Sequence, residues 1–191
     1  VDRVNSDLLD IRQIFNAANY NIVQEFDISS EKFAEQFSLL YEVNSDKIES
    51  LALYGNEGRL IASEPVAVEK ENIDVKGQDW YKNAESAIEN VHFSVPHIQN
   101  LYEDGLYRYH WVVSLSRYVD INDGEIPGSG VLLVDMKYSV IEDVLKQIND
   151  SSEGIYYYMI SRDGQMIYHP RKTEMASVLL EENSLKASGY E

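Results

Sequence analysis

The sequence predicts an α+β chain: a long N-terminal helix, an antiparallel sheet lobe, and part of a second lobe built on the same pattern. Three observations carry this. Val4, Leu8, Ile11, Phe15, Ala18 and Ile22 recur at alternating steps of four and three residues, which is one apolar stripe along a helix. The stretch from Leu106 to Val119 alternates instead, placing Tyr107, Tyr109, Trp111, Val113 and Leu115 on one face of a strand. A strand–turn–strand pattern, Leu51-Ala52-Leu53-Tyr54 then Gly58, Leu60-Ile61 and Pro65, returns as Tyr157-Tyr158-Met159-Ile160, Gly164, Met166-Ile167 and Pro170.

The elements follow in order. Asp2, Asp7 and Asp10 suit the positive end of the first helix, expected over 4–26. Its stripe can pack on the chain's own sheet or against a second copy. Asp27-Ile28-Ser29-Ser30 breaks the pattern, with Ser29 or Ser30 as N-cap and Glu31 in the first turn of a second helix. Phe33, Phe37 and Leu40 mark its apolar face, and Asn44-Ser45-Asp46 closes it. Ile48 to Tyr54 reads as a strand, Asn56-Glu57-Gly58 as a turn and Arg59 to Ala62 as the hairpin partner. A glycine fits there because a tight turn often needs positive φ.

Residues 66–76 read as loop. Asp79 to Glu89 is an expected helix with Trp80, Ala84, Ala87 and Ile88 inward. His92 to Ile98 reads as a strand, with Pro96 favouring an edge or a bulge. Asp120 to Gly130 reads as a polar, glycine-containing turn, and Val131 to Asp135 as a buried strand ending on an acid. Val140, Ile141, Val144, Leu145 and Ile148 then define an amphipathic helix, stopped by Asn149-Asp150-Ser151-Ser152. The expected division is 1–45 for the N-terminal helices, 46–150 for the first lobe and 151–191 for part of a second.

Composition narrows the function. A 44% hydrophobic, 26% charged chain of 191 residues is globular and large enough to bury a core. The net charge of −17 argues against nucleic acid, which needs clustered Lys and Arg, and against adsorption to anionic lipid. No cysteine is present, so disulfides, thiol nucleophiles and cysteine metal sites are excluded together. No run of eighteen apolar residues reads as a membrane span. The Val1 start and the open Ser188-Gly189-Tyr190-Glu191 end read as a fragment of something longer.

Chemistry is sparse. His92, His97, His110 and His169 lack metal-ligand spacing, and Asp120-Ile121-Asn122-Asp123-Gly124-Glu125 places glycine and acids wrongly for a calcium loop. No nucleophile elbow, phosphate loop or dinucleotide fingerprint occurs. An enzyme is therefore not expected, nor a cofactor. What stands out is Gln78-Asp79-Trp80-Tyr81 with the later ladder Tyr107-Arg108-Tyr109-His110-Trp111. Trp and Tyr combine an apolar face with one hydrogen-bonding group, which suits either a small-ligand pocket or an ordinary core.

Asp-Trp-Tyr at the head of a helix, the strand Gly130-Val131-Leu132-Leu133-Val134-Asp135, the helix after it and the hairpin Asp163-Gly164-Gln165-Met166-Ile167-Tyr168-His169-Pro170 together resemble a known family. The chain is similar to the double Cache (PAS-like) extracytoplasmic sensor domains of bacterial receptors, and most similar to the ectodomains of YesM-like sensor histidine kinases. The resemblance implies two PAS-like lobes with antiparallel sheets of five or six strands. It implies a homodimer through the N-terminal helix, and membrane attachment only through flanking helices that lie outside this sequence. It places a small-molecule site in the membrane-distal lobe, between the sheet and the segment holding Trp80 and Tyr81, and gives Asp135 to a ligand's amino group. Relatives that bind amino acids carry an arginine two residues before the tryptophan. In this chain that position is Gln78, which supplies neither charge nor a guanidinium fork. The expected ligand is thus an amine, a sugar-like molecule or another small polar molecule, with Gln78, Trp80, Tyr81, Tyr109, Trp111 and Asp135 as candidate contacts. A chemoreceptor or cyclic-dinucleotide enzyme would use the same sensor, and a ligand-free dimerisation module is the alternative of another class.

Overall fold

The computed structural model describes residues 10–86, 91–103, 106, 108–123, 126–150, 154–160, 164 and 166–170. The chain divides into two compact units, Val1–Val140 and Ile141–Glu191.

Helix α1 is α-helical over residues 10–16 and continues as a π-helix, Ala17–Val23. Ile11, Phe15, Ala18 and Ile22 are buried in the core, so this part of the stripe packs inside the chain's own fold. Val4 and Leu8 lie outside the described residues. Helix α2 (Glu31–Asn44) begins where the Ser30 hydroxyl accepts the Phe33 N–H at 3.1 Å, satisfying one of the free donors of the first turn. Its buried Phe33 and Phe37 stack at 5.2 Å.

The sheet consists of β1 (Ile48–Gly55), β2 (Leu60–Glu64), β3 (His92–Phe93), β4 (His97–Ile98), β5 (Trp111–Asp123) and β6 (Ile126–Lys137). Its order is β2-β1-β6-β5-β3, with β4 also on β5, and every pairing is antiparallel. The β1–β2 turn has Gly58 at φ 75°, as the turn pattern required. Between α3 (Asp79–Ser86) and β2 the chain forms no regular element beyond a bridge pairing Glu69 with Tyr102. Ala87 and Ile88, expected at the inward end of that helix, lie outside the described residues.

Three sequence expectations change. The single strand from His92 to Ile98 is two short strands, because proline cannot donate to a ladder and the chain loops out around Val95-Pro96. Ser94 repairs the gap: its N–H donates to the Ser114 carbonyl at 2.9 Å, and its hydroxyl accepts the Ser114 N–H at 2.8 Å. Second, β5 begins at Trp111, five residues later than the alternation suggested. Third, much of Asp120–Gly130 is ladder and not turn, since β5 and β6 stay in register from Val112 opposite Lys137 to Asp123 opposite Ile126. Gly130 permits this. A Cβ there would fall 2.0 Å from the Tyr54 carbonyl oxygen of β1, so only glycine allows β1 and β6 to approach so closely.

Directly opposed residues of an antiparallel ladder share a face. Leu51, Leu53, Leu132, Val134, Met136, Val113 and Leu115 therefore form one buried face, on which α1 and α2 pack. The other face carries Ser50, Ala52, Tyr54, Val131, Leu133, Asp135, Ser114 and Ser116. It is covered by Trp80, Tyr81 and Ala84 of α3 together with Val75, Leu101 and Tyr102.

The helix α4 (Tyr138–Asp150), most of which belongs to the second unit, leads to a hairpin of β7 (Met159–Ile160) and β8 (Met166–Tyr168), with Gly164 at φ 85°. The Asn149 side chain ties helix to hairpin, accepting the Tyr157 N–H at 2.5 Å and donating to the Tyr157 carbonyl at 3.0 Å.

Candidate functional site

The covered face of the sheet has one charged group at its centre. Asp135 sits in the central strand β6, is 1% exposed, and has Ser50 opposite on β1 and Ser114 opposite on β5. Ser50 donates to Oδ2 at 3.0 Å and Ser114 to Oδ1 at 2.5 Å. Burial pushes the carboxyl pKa above the ordinary range, while the two serines and His97 act in the opposite direction and Glu49 adds to the rise. Both carboxylate oxygens are met by donors from neighbouring strands, so the group is held rigidly.

An aromatic layer lies over this face. The Trp80 ring is 5.3 Å from Tyr54 and 5.6 Å, edge-on, from Tyr81. The Ser116 hydroxyl donates to the Trp80 carbonyl at 2.8 Å, which fastens α3 to β5. The Tyr54 and Tyr102 hydroxyls meet at 3.1 Å; burial chiefly raises both phenols above their usual range, their mutual contact raises Tyr54 further but lowers Tyr102, and the charges of Asp135 and Glu69 add to both rises. Two buried polar atoms beside this layer, Glu69 Oε1 and His92 Nε2, have no protein partner. Buried polar atoms are nearly always satisfied, whether by a protein group, an ordered water or a bound molecule.

The predicted residues divide. Asp135 lies on the sheet face that α3 covers, and Trp80 is part of that cover. Tyr81 is buried beside Trp80, but its hydroxyl is engaged by the carbonyls of Gly55 and Asn56 at 2.9 and 3.0 Å, so its polar end serves the β1–β2 turn. Gln78 is half-buried and its side-chain amide donates to the Asp74 carbonyl at 3.3 Å. Tyr109 is 79% exposed and precedes β5. Trp111 shares parity with Val113 and Leu115, hence the face opposite Asp135, and its ring lies 6.5 Å from Tyr138. Tyr107 lies outside the described residues. Tyr109 and Trp111 are therefore not brought to Asp135.

Sequence reasoning missed Ser50, Ser114, His97, Tyr54, Tyr102 and Glu69. One signal was available: Ser114 and Ser116 alternate with Val113 and Leu115, a polar face on an otherwise apolar strand. A separate groove of about 410 Å³ runs between α2 and β2, walled by Phe33, Ala34, Phe37, Leu60 and Ala62. It includes none of the predicted site residues.

The profile of the family described as Cache domain matches residues 2–190, and the chain belongs to that family. No curated protein matches the sequence. Among solved structures, it is similar to the ligand-binding domain of the Pseudomonas aeruginosa PAO1 amino acid chemoreceptor PctB in complex with L-Gln. That likeness has a TM-score of 0.63 at 19% identity and covers 91% of this chain and 65% of the other. The Pseudomonas fluorescens chemoreceptor CtaA ligand-binding domain with L-alanine gives 0.66 at 19%, covering 90% and 68%. The PctC ligand-binding domain of P. aeruginosa PAO1 with GABA gives 0.65 at 19%, covering 88% and 70%. The chain thus spans just under two thirds of the PctB domain. At these identities the likenesses establish the fold.

Cache domains are typically extracellular sensor domains of membrane receptors, and they bind ligands without catalysing reactions. Among the described residues no helix is long and apolar enough to cross a membrane.

Proposed function

We propose that this chain is the extracytoplasmic sensing domain of a bacterial transmembrane receptor and that it binds a small molecule through an ammonium group at Asp135. The observation that carries this is a fully buried carboxylate, fixed by serines from both neighbouring strands, beneath an aromatic layer. A cation satisfies such a group better than any neutral donor, because a charge-assisted hydrogen bond is roughly twice as strong as a neutral one. Trp80 supplies an aromatic wall, and Glu69 Oε1 near the Tyr54–Tyr102 pair offers a further acceptor. Gln78 lacks the charge of the arginine found in amino-acid-binding relatives, so the carboxylate of an amino acid has no such clamp at this position. An amine is the ligand class this favours, ahead of a sugar-like molecule.

The output we assign is a sensor histidine kinase of the YesM-like kind, on the motif resemblance. A chemoreceptor is the second reading, favoured by PctB, CtaA and PctC, whose ligand-binding domains share the fold. The membrane-distal lobe is assigned to 46–150 and a partial membrane-proximal lobe to 151–191. A homodimer through α1 has to use outward residues such as Arg12, Gln13, Asn16 and Tyr20, because the apolar stripe is buried in the fold.

A thermal-shift screen of putrescine, GABA, L-alanine, L-glutamine and glucose tests the ligand class. The amine should raise the melting temperature, as binding to the folded state alone adds RT ln(1 + [L]/Kd). Stabilisation by glucose alone, or a shift retained in Asp135→Asn, contradicts the assignment.

A further inference from the structure

The hydrogen bonds beyond Asp135 form a chain whose protons can be counted. The Ser114 hydroxyl lies 2.5 Å from Asp135 Oδ1 and 3.3 Å from His97 Nε2. His97 Nδ1 lies 3.0 Å from the Val95 carbonyl, which can only accept, so Nδ1 carries a proton. The neighbouring Ser94 hydroxyl, 3.2 Å from Nδ1, donates to the same carbonyl at 2.9 Å and accepts the Ser114 N–H. It therefore leaves that proton in place.

Ser114 has a single hydroxyl proton, and it donates that proton to Asp135 Oδ1. Ser50 donates to the other carboxylate oxygen. With the Ser114 proton committed to Asp135, the contact to His97 is a hydrogen bond only if Nε2 also carries a proton. Both ring nitrogens are then protonated.

We infer that His97 is a positioning residue for Asp135: as an imidazolium it holds the carboxylate ionised through Ser114, and it gives up one proton when a ligand's ammonium takes its place. The exchange balances. The ammonium N–H replaces the Ser114 O–H at Oδ1, Ser114 turns its proton to His97 Nε2, and the Nε2 proton leaves to solvent. The site keeps one positive charge beside Asp135 before and after. The fold supplies the arrangement, since His97 lies opposite Val112 on β5 and so shares the pleat face of Ser114. The remaining groups around Asp135 are Glu49 and Tyr54 from β1 and Tyr102 from the covering layer, while Lys137, two residues along β6 on the same face, has its ammonium on the Ser45 carbonyl at 2.6 Å. Glu49 is itself paired with His110 at 2.7 Å. None of these neighbours besides His97 brings a cation to Asp135, and its burial makes an unaccompanied charge costly.

This inference rests on the reading that Asp135 receives an ammonium group, and its two arms fail separately. The first arm needs no ligand: nitrogen-15 NMR of the His97 ring at pH 7, in the wild type and in Asp135→Asn and Ser114→Ala. Both ring nitrogens should be protonated in the wild type, with the Nε2 proton lost in each variant while the other histidine signals stay in place. A neutral wild-type His97, or an imidazolium unchanged in both variants, overturns the relay. The second arm titrates putrescine at pH 6, 7 and 8 in two buffers of different ionisation enthalpy. Wild-type protein should release about one proton per putrescine at pH 6, with affinity rising up to tenfold per pH unit. His97→Gln still donates to Ser114 but holds no exchangeable proton, and should bind with affinity nearly flat over this range. The same pH profile in His97→Gln overturns the exchange. If the first arm succeeds and putrescine does not bind, the relay stands and the ammonium reading falls.

Discussion

At the scale of residues, Asp135 accounts for most of the site's chemistry. Its folded-state pKa is raised, chiefly by burial, so its contribution to stability is complete below the ordinary carboxylate value of about 3.9 and is lost as pH rises through the folded value. The unliganded wild type should therefore lose stability relative to Asp135→Asn as melts are taken upward from pH 4; parallel curves would contradict burial as the cause of the shift. The helix that opens on Asp79-Trp80-Tyr81 and the buried strand that carries Asp135 were legible because both are local patterns, although β6 continues past Asp135 to Lys137. Ser50, Ser114 and His97 were not. Each reaches Asp135 through strand register, and residues 85 positions apart in the case of Ser50 leave no trace of pairing in one sequence. Alternation grouped Trp111 with Val113 and Leu115 but could not say which face of the sheet they share, and Tyr109 precedes β5 altogether.

Elements were easier to read than their edges. The Ser30 cap, the β1–β2 hairpin and α4 follow from capping chemistry, turn glycine and apolar spacing, all of which act over a few residues. Replacing Ser30 with Ala should cost about 1 kcal/mol in a urea melt, the usual value of an N-cap bond. Gly130→Ala should cost considerably more, since its Cβ meets the Tyr54 carbonyl and must part β1 from β6. Loss of hydrogen-exchange protection confined to those two strands would report it, and an unperturbed ladder would refute the close-approach argument. The break at Val95-Pro96 was half visible, because proline announced an interruption. That Ser94 would carry the ladder across it, and so return His97 to β5, depended on the partner strand.

For the whole molecule, the N-terminal stripe had two uses open to it, a partner helix or the chain's own sheet. Ile11, Phe15, Ala18 and Ile22 are buried within the fold, so their apolar surface is already used. Phe15→Ala should thus cost about 3–5 kcal/mol, the range for emptying a core aromatic site. That loss should be the same at low and high protein concentration, whereas a stripe that held a dimer would give a concentration-dependent loss. The sheet has two unlike faces: one is packed by α1 and α2, and the other holds Asp135 and is covered by α3. Ligand at Asp135 can bias a receptor only through a differential affinity for two states of this arrangement.

Whether Asp135 receives an ammonium group is decided by calorimetric titration of putrescine into wild-type and Asp135→Asn protein. Putrescine should bind the wild type saturably and lose about 2 kcal/mol, roughly thirtyfold in Kd, in an Asp135→Asn variant whose melting shows that it is folded. Equal affinities for the two proteins would contradict the ammonium reading.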